Sequence, residues 1–115
     1  MDCIFCKIIN GEIPSQKIHE TDKCVSFRDI NPQTPEHILV VPKKHIADIE
    51  SISGHDGDYL ADLFFSAKAI AEKHNLAEKG YRIIFNNGKA AGQEVSHIHM
   101  HILGGMDSLG PMVKS

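Results

Sequence analysis

Seven consecutive residues constrain this chain more than anything else in it. His97-Ile98-His99-Met100-His101-Ile102-Leu103 alternates imidazole with apolar side chains. Side chains two apart on a β-strand share a face, so this alternation predicts a strand with one face in a core. Ile98, Met100 and Ile102 then point inward. His97, His99 and His101 line the other face, ~6.6 Å apart by strand rise. An imidazole near neutral pH can attack, donate or accept a proton. The central histidine could therefore be a nucleophile whose neighbours bind an anion or pass protons. Two of the three could instead grip one metal ion, with the third completing the set. The bland alternative is a polar surface strand that happens to be rich in histidine, and the clean apolar face behind the row disfavours it.

The rest of the chain supports a small globular frame for that strand. Its 115 residues fit one domain (1–115) with one core, and 42% hydrophobic with 23% charged residues excludes a disordered or fibrous chain. No apolar run approaches the ~18 residues of a membrane span. Met1 to Lys7 has neither a basic leader nor a small-residue cleavage site. A cytoplasmic address is expected, with thiols free or metal-bound rather than disulfide-linked. A net charge of −3 removes any global electrostatic case for nucleic acid, so phosphate recognition must be local.

Ile4, Phe5, Ile8 and Ile9 have helical spacing before Gly11 and Pro14. Strands are expected near Lys17–His19 and at Cys24–Arg28, the latter closed by the Pro32 and Pro35 turn region. His37-Ile38-Leu39-Val40-Val41-Pro42 reads as a buried strand. A long helix is predicted over Asp56–His74, with Leu60, Leu63, Phe64, Ala67, Ile70, Ala71 and His74 on the inward stripe and Asp62, Lys68 and Glu72 in water. Tyr81–Phe85 is a further strand. Strands flanking one long helix with short connections indicate an antiparallel α+β domain. Between Asn86 and Glu94 lies a Gly-rich loop whose backbone N–H groups could cradle phosphate oxygens, although most such loops are plain connections.

The histidine strand, followed by two apolar residues, resembles the signature of the histidine-triad (HIT) family. Ile4-Phe5-Cys6-Lys7-Ile8-Ile9, Phe27 to Pro35, His37 to Ile46 and Gly92-Gln93 resemble its adenosine-phosphoramidase-like branch, in the expected order and over most of the chain. The resemblance implies a five-stranded antiparallel sheet with a short and a long helix. It also implies a homodimer with a continuous ten-stranded sheet, the long helix and Tyr81–Phe85 at its interface. The implied reaction is nucleotidyl transfer on purine nucleotide conjugates such as AMP or GMP phosphoramidates or acyl-adenylates, with no cofactor required for catalysis. His99 would attack the α-phosphorus, giving a nucleotidyl-histidine that water hydrolyses.

By the same resemblance His101 would bind the α-phosphate and His97 would support His99. His37 would continue their hydrogen-bonded network. Asp29 would accept the ribose hydroxyls, although the same carboxylate could simply cap a turn at Asn31-Pro32. Phe5, Ile8, Phe27, Ile30 and Leu39 would wall the base; for Phe27, Ile30 and Leu39 plain core packing is the equal alternative. Asn86 and Gln93 would contact sugar or phosphate. Glu94 stands where this branch usually has a Ser thought to assist the leaving amine, so the leaving group is open. A dinucleoside polyphosphate hydrolase and a non-enzymatic nucleotide- or zinc-binding protein are the alternatives.

Cys3-x-x-Cys6 has metal-knuckle spacing but supplies only two ligands, and a closed structural site needs four. Some bacterial members of the family complete such a site with a His after the Pro-Lys motif and the first His of the triad, here His45 and His97. The resemblance thus implies structural zinc on Cys3, Cys6, His45 and His97. Cys24 has no such company and reads as a packed strand residue.

Overall fold

The computed structural model of the chain describes residues 3–113. In chain order it contains α1 (Ile4–Ile9), β1 (Lys17–Glu20), β2 (Cys24–Arg28), β3 (Glu36–Pro42), α2 (Gly57–Lys73), β4 (Arg82–Ile84) and β5 (Met100–Gly104). The strands form one antiparallel sheet in the order β1-β2-β3-β5-β4. The expected α+β class, five strands, short first helix and long second helix are all present.

Central β3 is buried from His37 to Pro42, as a strand covered on both faces must be. Period-two alternation divides the core in two. Cys24, Ile38, Val40, Met100 and Ile102 pack under Leu63, Ala67, Ile70 and Ala71 of α2. Val25, Phe27, Leu39 and Val41 face the other way and pack with Cys3, Phe5 and Ile8 of the α1 region. Six residues cannot sustain a helix in water by themselves. Two anchors hold α1 instead: Phe5 and Ile8 are buried, each contributing roughly 1.5–3 kcal/mol of apolar burial.

The structure departs from the sequence expectation at several points. Phe64, predicted inward, is 56% exposed, and its neighbour Phe65 is 69% exposed. Leu63, Ala67 and Ile70 already fill the narrow face that α2 turns to the sheet, leaving Phe64 at the rim of the stripe. Asp62, predicted in water, is half-buried and accepts hydrogen bonds from Thr21 Oγ1 at 2.6 Å and Ser66 Oγ at 3.4 Å. The turn before β2 folds onto the helix and covers it. The strand expected over Tyr81–Phe85 keeps only Arg82–Ile84. The most consequential correction concerns the last strand. Its ladder begins at Met100, so His97 and His99 lie on an irregular approach, not on a regular strand. That approach is tied down at Ile98, whose N–H donates to the Ile46 carbonyl at 2.7 Å. Among the described residues no helix is long and apolar enough to cross a membrane.

Candidate active site

His37, Leu39 and Val41 share the α1 face of β3, and Leu39 pairs directly with His101 on β5. The two histidines are therefore diagonal neighbours on one face, and His37 Nε2 lies 2.9 Å from His101 Nδ1. The His99 ring sits beside His101, with centroids 5.0 Å apart, and Phe5 from α1 meets the edge of His99 at 5.1 Å. His37 and His99 are buried and His101 is half-buried. All three imidazoles lie on the α1 side, with His97 and His99 both against Phe5, but the His97 ring is fully buried and engaged with the cysteines.

Backbone groups decide which nitrogen of each ring carries its proton. A carbonyl can only accept and an amide N–H can only donate. His99 Nδ1 lies 2.8 Å from the His97 carbonyl, so it is the protonated nitrogen and Nε2 keeps a free lone pair. The support from His97 thus comes from its backbone, not its ring. The opposite tautomer is imposed across the sheet. Gln33 N–H donates to His37 Nδ1 at 3.0 Å, so His37 carries its proton on Nε2 and donates it to His101 Nδ1. His101 is left with an outward Nε2–H. Two adjacent imidazoles thus present a lone pair and a donor. That is the complement of a nucleophile beside a group that holds an anionic oxygen.

Electrostatics keeps His101 neutral at physiological pH. Burial pulls the His101 pKa down to about 4, aided by the neighbouring His99 and His37 and opposed by Asp29. Desolvation likewise lowers His97 to about 4.

Other residues singled out in the sequence fall around this pair. Asp29, directly after β2, accepts from Asn31 N–H at 2.8 Å through Oδ1, while its Oδ2 lies 3.5 Å from His37 Nε2. The turn-capping role is therefore real, and it leaves the second oxygen towards the histidines. Phe5, Ile8, Phe27 and Leu39 are buried in one cluster, with the Phe5 and Phe27 rings 5.7 Å apart. Ile30 is 99% exposed, so core packing is not its role. Asn86 follows β4 in a half-buried position and Glu94 is exposed. Gln93 is engaged internally: Oε1 accepts from Gly88 N–H at 2.8 Å, and Nε2 donates to Ala47 and Val95 carbonyls. Gly88 has φ +84, a left-handed conformation that glycine adopts without steric cost. Asn87 joins this loop to the 49–51 turn through Ile49 N–H and Glu50. Gln33 and Asn87 were not singled out in the sequence. Gln33 acts through its amide N–H, which any residue but proline would supply, so no side-chain signal could have revealed it.

Cys3, Cys6, His45 and His97 converge behind His99. Cys3 Sγ lies 3.3 Å from His97 Nδ1, Cys6 Sγ lies 3.3 and 3.6 Å from the Nδ1 atoms of His45 and His97, and those two nitrogens are 3.1 Å apart. A tetrahedral zinc bonded at ~2.3 Å to sulfur and ~2.0–2.1 Å to nitrogen implies ligand separations of roughly 3.3–3.8 Å, and only the His45–His97 pair is slightly closer. His97 is also in the required tautomer: its Nε2–H donates to the Pro42 carbonyl at 2.8 Å, leaving Nδ1 free. The four residues fit a tetrahedral metal. Asp29, His37 and His101 also converge, but there the Gln33 N–H holds the His37 proton on Nε2, the atom a metal would need. That trio suits a hydrogen-bond relay.

A triad of imidazoles on the α1 side of such a sheet, with His99 between buried His97 and half-buried His101, defines a class. The chain belongs to the HIT domain family, which it matches over residues 10–108. It is 46% identical over 112 residues to the purine nucleoside phosphoramidase of Escherichia coli (strain K12), covering 97% of this chain and 93% of that protein. Solved relatives include a HIT family hydrolase from Legionella pneumophila Philadelphia 1. That structure has TM-score 0.88 and 48% identity, covering 91% of this chain and 94% of its own. A histidine triad protein from Clostridium difficile has TM-score 0.90 and 45% identity, with 96% of each chain covered.

Proposed function

We propose that this protein is a nucleotide hydrolase or nucleotidyl transferase of the purine nucleoside phosphoramidase type. The observation that carries the reading is the opposite tautomers of His99 and His101, one offering a lone pair and the other an N–H. In this reading His99 Nε2 attacks the α-phosphorus of an AMP or GMP conjugate. An N–P bond forms as the bond to the leaving group breaks, and the departing group takes the electron pair, an amine also taking a proton from solvent. Water then attacks the same phosphorus and gives up a proton to solvent, and the electron pair of the N–P bond returns to His99 Nε2. His101 Nε2–H holds a non-bridging oxygen through both steps. Preorganised donors of this kind act where charge develops.

Asp29 Oδ2 would accept a ribose hydroxyl. Phe5, Ile8, Phe27 and Leu39 would back the base, with exposed Ile30 closing over it. Gln93 would act by shaping the phosphate-side loop, beside Asn86, and Glu94 would face the leaving group. Similarity to the phosphoramidase of Escherichia coli supports this substrate class. The Cys3, Cys6, His45 and His97 site would hold structural Zn²⁺ when loaded, cross-linking α1 to the approach to β5, with no open position for a catalytic water. Exposed Phe64 and Phe65 on α2, beside the short edge strand β4, would bury against a second copy and extend the sheet to ten strands. Free Cys3, Cys6 and Cys24 suit a reducing, cytoplasmic setting.

The test is a fluorogenic adenosine phosphoramidate with wild type and His99→Ala. Wild type should turn over and yield a trapped nucleotidyl adduct; the variant should do neither. Turnover that persists in His99→Ala would remove the nucleophile assignment. A wild type that ignores phosphoramidates yet cleaves diadenosine polyphosphate would favour the polyphosphate hydrolase reading. Nucleotide binding without any cleavage would favour a non-enzymatic binding protein.

A further inference from the structure

His97 belongs to two constellations at once. Its ring lies among Cys3, Cys6 and His45, while its carbonyl accepts the His99 Nδ1–H. No strand ladder holds that carbonyl, because β5 pairing begins three residues later, at Met100. Residue 97 is held by its ring bond to Pro42, by its own N–H on the Val95 carbonyl at 2.8 Å, and by the adjacent Ile98–Ile46 bond. The same cluster governs α1. Cys3 is the N-cap of that helix and Cys6 lies in its first turn. Between them Phe5 leans edge-on against His97 at 5.8 Å and His99 at 5.1 Å. A helix this short depends on tertiary ties. Its ties are the burial of Phe5 and Ile8 and whatever joins its two cysteines to His45 and His97.

The cluster is also lopsided. Cys3 and His97 are buried, whereas Cys6 and His45 are half-buried and line a cleft of about 380 Å³ together with Asn10, Glu12 and Lys43. An ion from solvent can reach the ligands on the Cys6–His45 side.

We propose that a soft divalent cation taken up through this cleft works as a clasp, locking α1 over the nucleotide face and the His97 carbonyl against His99, so that metal occupancy sets nucleotide affinity and the His99 tautomer. His97 is then a positioning residue acting through His99 and Phe5. Uptake exchanges the two thiol protons of Cys3 and Cys6 for the ion and releases them to water, while His97 Nδ1 already carries a lone pair. The proposal rests on the reading of His99 as the nucleotide-facing group, but not on turnover.

The test compares zinc-loaded, chelator-stripped and Cys6→Ser protein, with far-ultraviolet circular dichroism as the check of fold. AMP affinity is measured by calorimetry and the His99 tautomer by ¹⁵N NMR. Loss of the ion should weaken AMP binding by roughly tenfold, equivalent to ~1.4 kcal/mol. It should also turn a single Nδ1–H form of His99 into a mixture. Equal AMP affinity and an unchanged His99 spectrum in folded, stripped protein would overturn the proposal. A second measurement needs no stripped protein: in the Co²⁺-loaded chain, saturating AMP should shift the ligand-field bands, and bands indifferent to AMP would also overturn it. A chain that binds AMP under metal control but cleaves no phosphoramidate would sink the enzymatic reading and leave the clasp standing. A chain that binds no AMP in either state would sink both.

Discussion

The His37–His101 hydrogen bond gives the most direct test of the tautomer argument. His37 is 5% exposed, its Nδ1 takes the Gln33 N–H, and its Nε2–H reaches His101 Nδ1 at 2.9 Å. Replacing it by leucine keeps an apolar body of similar bulk but removes the donor. His101 Nδ1 then loses its partner, a loss worth ~1–3 kcal/mol for a buried group. Because His101 is only half-buried, water can cover part of that loss, and the lower half of the range applies. The energy that held one tautomer is now gone, so His101 spends part of its time with a lone pair facing an anionic phosphoryl oxygen. About 1–2 kcal/mol of lost stabilisation corresponds to a fall of roughly 5–30-fold in kcat/KM. His37→Gln is the matched control, since its side-chain amide can donate from nearly the position of Nε2. The assay is steady-state cleavage of an adenosine phosphoramidate, with thermal unfolding to confirm that both variants fold. His37→Gln should stay within about threefold of wild type while His37→Leu falls about fivefold or more. Equal rates for the two variants would refute the donor argument, whatever their level.

Two further outcomes follow from the same geometry. Gln93→Ala removes three hydrogen bonds that brace the 86–94 loop against Ala47 and Val95. It should cost about 1–3 kcal/mol in denaturant unfolding and weaken AMP binding, and a variant as stable as wild type would show that the loop needs no brace. For pH, the sign comes from His101: its folded pKa of about 4 lies below the ordinary histidine value, so the unfolded chain binds the extra proton. That stability is complete above the unfolded pKa and is lost as pH falls from about 6.5 to about 4. The slope is at most ~1.4 kcal/mol per pH unit, and roughly 1 after allowing for a half-exposed ring. In unfolding curves, as pH falls through that window, wild type should lose stability relative to His101→Gln, which carries no titrating group there; parallel curves would assign the acid sensitivity elsewhere.

Much of the frame was legible because it depends on patterns carried by side chains. The alternation at 97–103 put Ile98, Met100 and Ile102 inward, and all three are buried. The apolar run at Ile38–Val41 marked the central strand, and CxxC spacing with His45 and His97 marked a cluster that the fold does assemble. Phe64 misled because a helical stripe has a rim, and the width of the face that meets the sheet depends on what else packs there. The break in the last strand before Met100 was invisible for a similar reason, since it depends on Ile98 bonding to Ile46, a residue far away in the chain.

What the sequence alone determined, then, is which histidines exist, which apolar residues back them and which fold family they serve. Only the tertiary structure decided what each imidazole can do. The groups that set the tautomers are the Gln33 N–H and the carbonyls of His97 and Pro42. Every residue type except proline supplies the same N–H, and every residue supplies the same carbonyl. Their identity therefore encodes nothing about the site, and only their position in the folded chain makes His99 an acceptor and His101 a donor.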